Sequence, residues 1–176
     1  MRGDSRKGQV WIETVIYTLI AFVLIGVVLS FAKPKIEEMQ DKAIFEKMLG
    51  TMQSIDETIF EIISGGPGNK RSPTIKIDKG RIIIDKNGEK ISYEMEGKYI
   101  ASELDKDVVV GSFILRTEEI GGVKKITLSK DYDEKYDFDF SGNSNTMTIT
   151  ASSNGYTLSI TNKGGEDKPK IEFDLS

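Results

Sequence analysis

Hydrophobic and polar positions divide the chain into three regimes. From Val10 to Ala32 nearly every position is apolar. At about 1.5 Å of rise per residue, a helix of that length matches the ~30 Å hydrocarbon core of a bilayer. A single carboxylate, Glu13, interrupts the run near its start; Arg2, Arg6 and Lys7 precede it, and Lys33-Pro34-Lys35 close it. The pattern predicts a helix that spans a membrane or lies in the core of a helical assembly. Proline has no amide proton and its ring crowds the preceding turn, so Pro34 is expected to bend or interrupt the helix just past the run.

From Ile44 the period becomes that of an amphipathic helix. Ile44, Met48, Met52, Ile55, Ile59 and Ile62 fall within a stripe of about 100° at 3.6 residues per turn, flanked by Phe45 and Ile63. That stripe predicts packing against a globular domain, with the methionines as core filler. Ile36, Met39 and Ala43 point to a different face and so to a different partner. Gly65-Gly66-Pro67-Gly68 ends the helix, glycine supplying positive φ and proline refusing to continue it.

Beyond Gly68 the period is two. Ile75 and Ile77 lead to a turn at Asp78-Lys79-Gly80, then Arg81 to Asp85, then Asn87-Gly88, a strong hairpin signal. Ile91, Tyr93 and Met95 alternate with Ser92 and Glu94. Val108 to Leu115 is more continuously apolar than the other segments and predicts a central strand. After Gly121-Gly122 come Val123 to Leu128, then Tyr136, Phe138 and Phe140 alternating with Asp137 and Asp139. Met147, Ile149 and Ala151 precede a turn at Asn154-Gly155, and alternation resumes over Tyr156, Leu158 and Ile160 and over Ile171, Phe173 and Leu175. One face dry and one wet is the pattern of antiparallel sheets, and the close spacing of turns indicates a meander or small sandwich. The expected fold class is α+β: a long N-terminal helix, kinked near Pro34, packed by its C-terminal half on an antiparallel β-sheet or small β-sandwich head. The expected division is a leader over 1–8, a transmembrane or filament-core helix over 9–33, an amphipathic stalk helix over 34–64, and a β-rich extracellular head over 65–176.

Composition narrows the chemistry. The 176 residues include no cysteine and no histidine, which removes disulfides, thiolate metal sites, cysteine nucleophiles and the imidazole most used for acid–base work near neutral pH. A net charge of −4 makes the chain a poor counterion for nucleic acid phosphates. Asp131, Asp133, Glu134, Asp137 and Asp139 form the densest acidic cluster, but a calcium loop would need a ligand where Lys135 stands and a glycine after it. Asp137 and Asp139 read instead as solvated charges that keep an edge strand from pairing. The glycines at 65–68 follow a helix, whereas a phosphate-binding loop precedes one. There is neither a G-x-S-x-G nor an N-x-S/T sequence. No cofactor and no enzymatic activity are expected.

Three openings fit the N-terminus: a secretory signal, an uncleaved anchor, and a short leader on a retained helix. Ser30-Phe31-Ala32 is a small-x-small triplet suited to signal cleavage. However, secretory apolar regions run about 7–15 residues, and the uncharged run from Thr14 to Ala32 is longer. The cations at Arg2, Arg6 and Lys7 favour the N-terminus inside and the head outside. Glu13 has two readings of equal weight: a carboxylate at bilayer depth with a functional partner, or one about a turn into the helix that reaches the headgroups and the positive end of the helix dipole.

Lys7-Gly8-Gln9-Val10-Trp11-Ile12-Glu13, ahead of the apolar run, resembles the class III signal peptide of archaeal pilins and archaellins in the type IV pilin superfamily. That leader ends in Lys/Arg-Gly before Gln, and a Q-x-S-x-E pattern opens the helix; here Trp11 stands in place of the serine and Tyr17 in place of a usual leucine. The resemblance implies cleavage between Gly8 and Gln9 by a prepilin-type peptidase. It also implies an assembly contact in which Glu13 meets the new α-amine of Gln9 on a neighbouring subunit. The expected function is a structural subunit or pseudopilin of a pilus-like surface filament. Its partners would be membrane lipid, its own copies and the peptidase, with no nucleic acid. The alternative is a single-pass surface protein with a β-rich binding head that does not polymerise.

Overall fold

A computed structural model describes residues 5–142 and 144–176, with side chains from residue 10 onward. A single helix, α1, runs from Ser5 to Ser64. The interruption anticipated at Pro34 does not occur. Proline removes one intrahelical bond, the one the Ser30 carbonyl would accept, and the strong helix formers on both sides carry the helix across that gap. Residues 1–4, the first half of the expected leader, lie outside the described residues.

The C-terminal half of α1 buries its stripe as the periodicity requires. Phe45, Met48, Met52, Ile55, Ile59 and Ile62 are all buried. The stripe is rotated slightly from expectation, since Phe45 is the core residue and Ile44 only flanks it. The helix stops where the glycines begin: Gly65 N–H donates to Glu61 O and Gly66, with φ of 86°, to Ile63 O.

Eleven strands follow: β1 (Lys70–Arg71), β2 (Thr74–Ile75), β3 (Arg81–Asp85), β4 (Lys90–Gly97), β5 (Asp107–Val110), β6 (Phe113–Ile120), β7 (Val123–Asp131), β8 (Asp137–Phe140), β9 (Thr146–Thr150), β10 (Tyr156–Gly164) and β11 (Lys170–Leu175). They form two sheets. The larger has the order β5-β6-β7-β4-β3-β9 and is antiparallel throughout. The smaller has the order β1-β10-β11-β8, with β2 also on β10. Helix α1 packs on β4 of the first sheet and on β10 and β1 of the second, and both sheets close over one core that contains its stripe. Tyr132, just past β7, meets Phe138 at 5.5 Å between ring centroids, and Phe138 meets Phe173 of β11 edge-on at 4.9 Å. That aromatic row joins the two sheets.

Two expectations are corrected here. Val108 to Leu115 is not a central strand but a hairpin at the sheet's edge: β5 and β6 pair from Val110↔Phe113 outward, turning through Gly111-Ser112. Gly111 takes a φ of 62°, the conformation a type II′ turn asks of its first central residue. The second concerns strand direction, because β8 pairs with β11 in parallel. Strands β9 and β10 lie between them in sequence, and this parallel pair makes the smaller sheet mixed rather than purely antiparallel. Asn87-Gly88 does mark a hairpin, though the paired ends Asp85↔Lys90 enclose four residues rather than two. Asp137 and Asp139 lie on β8, which is an edge strand.

Because the stripe from Phe45 to Ile62 stays attached to its sheets, the chain from Lys35 onward is expected to fold alone. A cooperative thermal melt followed by circular dichroism would establish this; a featureless baseline would refute it. In that fragment Ile55→Ala is expected to cost about 2–5 kcal/mol.

Candidate functional site

The apolar stretch of α1 is exposed on every side. Trp11, Phe22 and Phe31 are 72%, 67% and 77% exposed, and none of the stretch that qualifies as a membrane span is covered by the rest of the chain. The helix is therefore long and apolar enough to cross a bilayer, and the chain supplies no cover of its own. Its three aliphatic hydroxyls are already satisfied within the helix. Thr14 donates to Val10 O at 2.9 Å, Thr18 to Thr14 O at 2.8 Å, and Ser30 to Gly26 O at 2.9 Å. None of these three needs water or a neighbouring helix.

Of the predicted site residues, Gly8 and Gln9 lie in α1, with their side chains outside the described set. Glu13 lies in the same helix, exposed, and enters no ion pair among the described residues. Gln9 and Glu13 are four residues apart and so share one face of α1.

How the head is fixed to α1 was not legible in the motifs. Two carboxylates on the helix do it. Asp41 is 5% exposed; it accepts the Lys98 N–H at 2.6 Å and the Lys79 ammonium at 2.5 Å. The Lys79 carbonyl in turn accepts the Tyr93 hydroxyl at 2.7 Å. Burial, and after it the Asp41 charge, raise the Tyr93 hydroxyl's pKa, so it stays a donor. Further along, Asp56 accepts the Lys130 ammonium at 2.5 Å, the Tyr132 hydroxyl at 2.9 Å and the Ser112 hydroxyl at 3.2 Å. Burial and the Asp56 charge raise the Tyr132 hydroxyl's pKa. At the helix end Asn162 of β10, 2% exposed, donates to the Ile62 carbonyl at 3.2 Å, satisfying one of the acceptors a helix terminus leaves open. One signal for Asp41 was present in the sequence. Stepping back four residues from Phe45 continues the alternating three-and-four spacing of the stripe, and lands a carboxylate on a core position.

Around Asp56 the helix and sheet leave an open cleft of about 480 Å³ bordered by Phe60, Tyr132 and Tyr136. Its central carboxylate is already committed to Lys130, Tyr132 and Ser112. Among the described residues no group of three or more acidic side chains is placed to hold a metal. In the acidic cluster, Asp139 pairs with Lys86 at 2.7 Å, a hydrogen bond that lowers its pKa. Glu89 is pushed upward, first by burial and then by the Asp133 and Asp137 charges. No family model matches the chain, and no curated protein and no solved structure matches it.

A Cβ at Gly97 would collide with the Asp41 carboxylate. Asp41→Ala is expected to cost about 1–3 kcal/mol, the penalty of a buried donor left without its acceptor. Gly97→Ala should destabilise the native chain but far less the Asp41→Ala background, a coupling that a double-mutant cycle on denaturant melts would read. Additive effects would show that Asp41 does not occupy that space.

Proposed function

We propose that this chain is a structural subunit or pseudopilin of a type IV pilus-like surface filament, processed by a prepilin-type peptidase between Gly8 and Gln9. The N-terminus starts inside, the helix is retained, and the head stands outside. One observation carries the reading. The apolar stretch is uncovered on all sides and is continuous with the helix on which the head is built. Copies can bundle through that stretch, or rest in a membrane, without any rearrangement of the head.

Glu13 supplies specificity in this account. A carboxylate among apolar helices costs several kcal/mol unless it is paired. Cleavage before Gln9 creates a positive amine one helical turn away in sequence. The same amine on a neighbouring copy is the partner that removes the penalty and sets the stagger between subunits. The head acts in this reading as the filament's outer surface and not as an enzyme, and no cofactor or nucleic acid takes part.

N-terminal sequencing of the protein from its native cells tests processing. Mature chains starting at Gln9 are expected; a start at Lys33 would indicate a conventional signal, and an intact Met1 an uncleaved anchor. Polymerisation is tested separately. Glu13→Ala is expected to lower the recovery of sheared surface filaments while processed protein stays in the membrane. Unchanged filament yield would remove the pairing role, and absence of filaments from wild-type cells would leave the anchored, unpolymerised surface protein.

A further inference from the structure

The carboxylates on α1 fix how the head stands relative to the apolar run, and therefore which part of it faces a bilayer. Strand β7 starts at the level of Asp41: Lys124 pairs with Gly97, and the next residue, Lys98, donates its N–H to Asp41 at 2.6 Å. The same strand reaches Asp56 through Lys130 at 2.5 Å. So β7 runs in the same direction as α1, and the β6–β7 turn that precedes it points back toward the apolar run. The turn is Ile120-Gly121-Gly122-Val123, closed by the Ile120↔Val123 pair.

The distance is short. Val123 borders the same shallow cleft as Glu37 and Gln40 of α1. Glu37 lies five residues beyond Ala32, about 7.5 Å along a helix. The headgroup layer is roughly 5–7 Å thick on each side of the hydrocarbon, so a turn extending from Val123 toward the membrane reaches it.

The turn's chemistry suits that position. Gly121 and Gly122 both have positive φ, at 61° and 79°, which makes a tight turn with no side chain at its apex. Ile120 is 62% and Val123 38% exposed. A hairpin tip in water is ordinarily polar, yet this one carries no charge, and Lys124 beside it is committed to Glu119. Ile100, in the loop that follows Lys98, is also 49% exposed.

We propose that the β6–β7 turn is a membrane-contact element, with Ile120 and Val123 seated among the headgroups of the bilayer that α1 crosses. The proposal rests on the reading of α1 as a membrane span. The contact is apolar, because Ile120 and Val123 carry no charge and Lys124 beside them is paired with Glu119, so it requires no anionic lipid. It holds the head down on the membrane surface while the subunit is unassembled, and entry into a filament breaks it.

The chain contains no cysteine, so single-cysteine variants of the full chain report cleanly. Ile25→Cys, Ile120→Cys and Asn87→Cys would carry an environment-sensitive fluorophore in phosphatidylcholine vesicles, the last at the opposite end of the head. Quenching by a headgroup-linked nitroxide lipid and by aqueous iodide is then compared. The label at 120 is expected to be quenched several-fold more by the nitroxide lipid, and less by iodide, than the label at 87. Equal iodide quenching at 120 and 87, with 25 shielded, overturns the membrane contact and leaves the span intact. Iodide access at 25 overturns the span, and the contact with it. A label at 120 shielded from both quenchers is covered by another copy, which also overturns the proposal. Adding Val123→Asp to Ile120→Cys is expected to return the label to iodide; persistent lipid quenching would mean that the fluorophore, not the protein, seeks the membrane.

Discussion

An apolar helix that its own chain leaves bare is the constraint from which the rest of this molecule follows. Burying apolar surface is worth about 25 cal/mol per Å², and here a stretch from Val10 to Phe31 forgoes it entirely within the chain. The head cannot fold back to cover it, because the same helix continues into the core and its direction is fixed there. Lipid or other helices are the proposed cover. The satisfied hydroxyls of Thr14, Thr18 and Ser30 make the stretch compatible with either, and the Glu13 carboxylate distinguishes them, since it gains most from a charged neighbour.

The head's attachment shows how polar groups do what an apolar stripe alone cannot. Hydrophobic packing along Phe45 to Ile62 is non-directional and would tolerate sliding by a turn. Asp41 and Asp56 remove that freedom. Each offers a carboxylate to donors at one defined place on the larger sheet, and Asn162 fixes the helix end against the smaller one. The consequence is a defined orientation along α1, with the diglycine turn at the end of the head nearest the apolar run and the Asn87 hairpin at the other end. Orientation of this kind matters for the proposed filament, in which copies would stack in register.

Much of this was written in local pattern and some was not. The apolar run, the amphipathic stripe, its glycine stop and most strands follow from periods of 3.6 and 2 because each is decided by neighbours in sequence. Val108 to Leu115 misled because a valine run resembles a buried strand, while the real determinant was one glycine able to adopt positive φ at position 111. The parallel pairing of β8 with β11 was invisible, since partners distant in sequence leave no local trace. The stripe spacing places Asp41 on a core position, but only the fold brings Lys98 to it and Lys130 and Tyr132 to Asp56. The Gly8-Gln9 and Glu13 motif rests on sequence alone, because its chemistry needs a second chain.

The central claim is that the apolar stretch of α1 is kept in the mature protein and is covered by something other than its own chain. Amide hydrogen exchange on the full chain in lipid nanodiscs tests this most directly. Peptides covering residues 15–29 are expected to exchange more slowly than those covering 34–40, although both belong to one helix and neither is covered by the head's core. Exchange of the apolar stretch as fast as, or faster than, the stalk would mean that it lies in water, and would contradict the account.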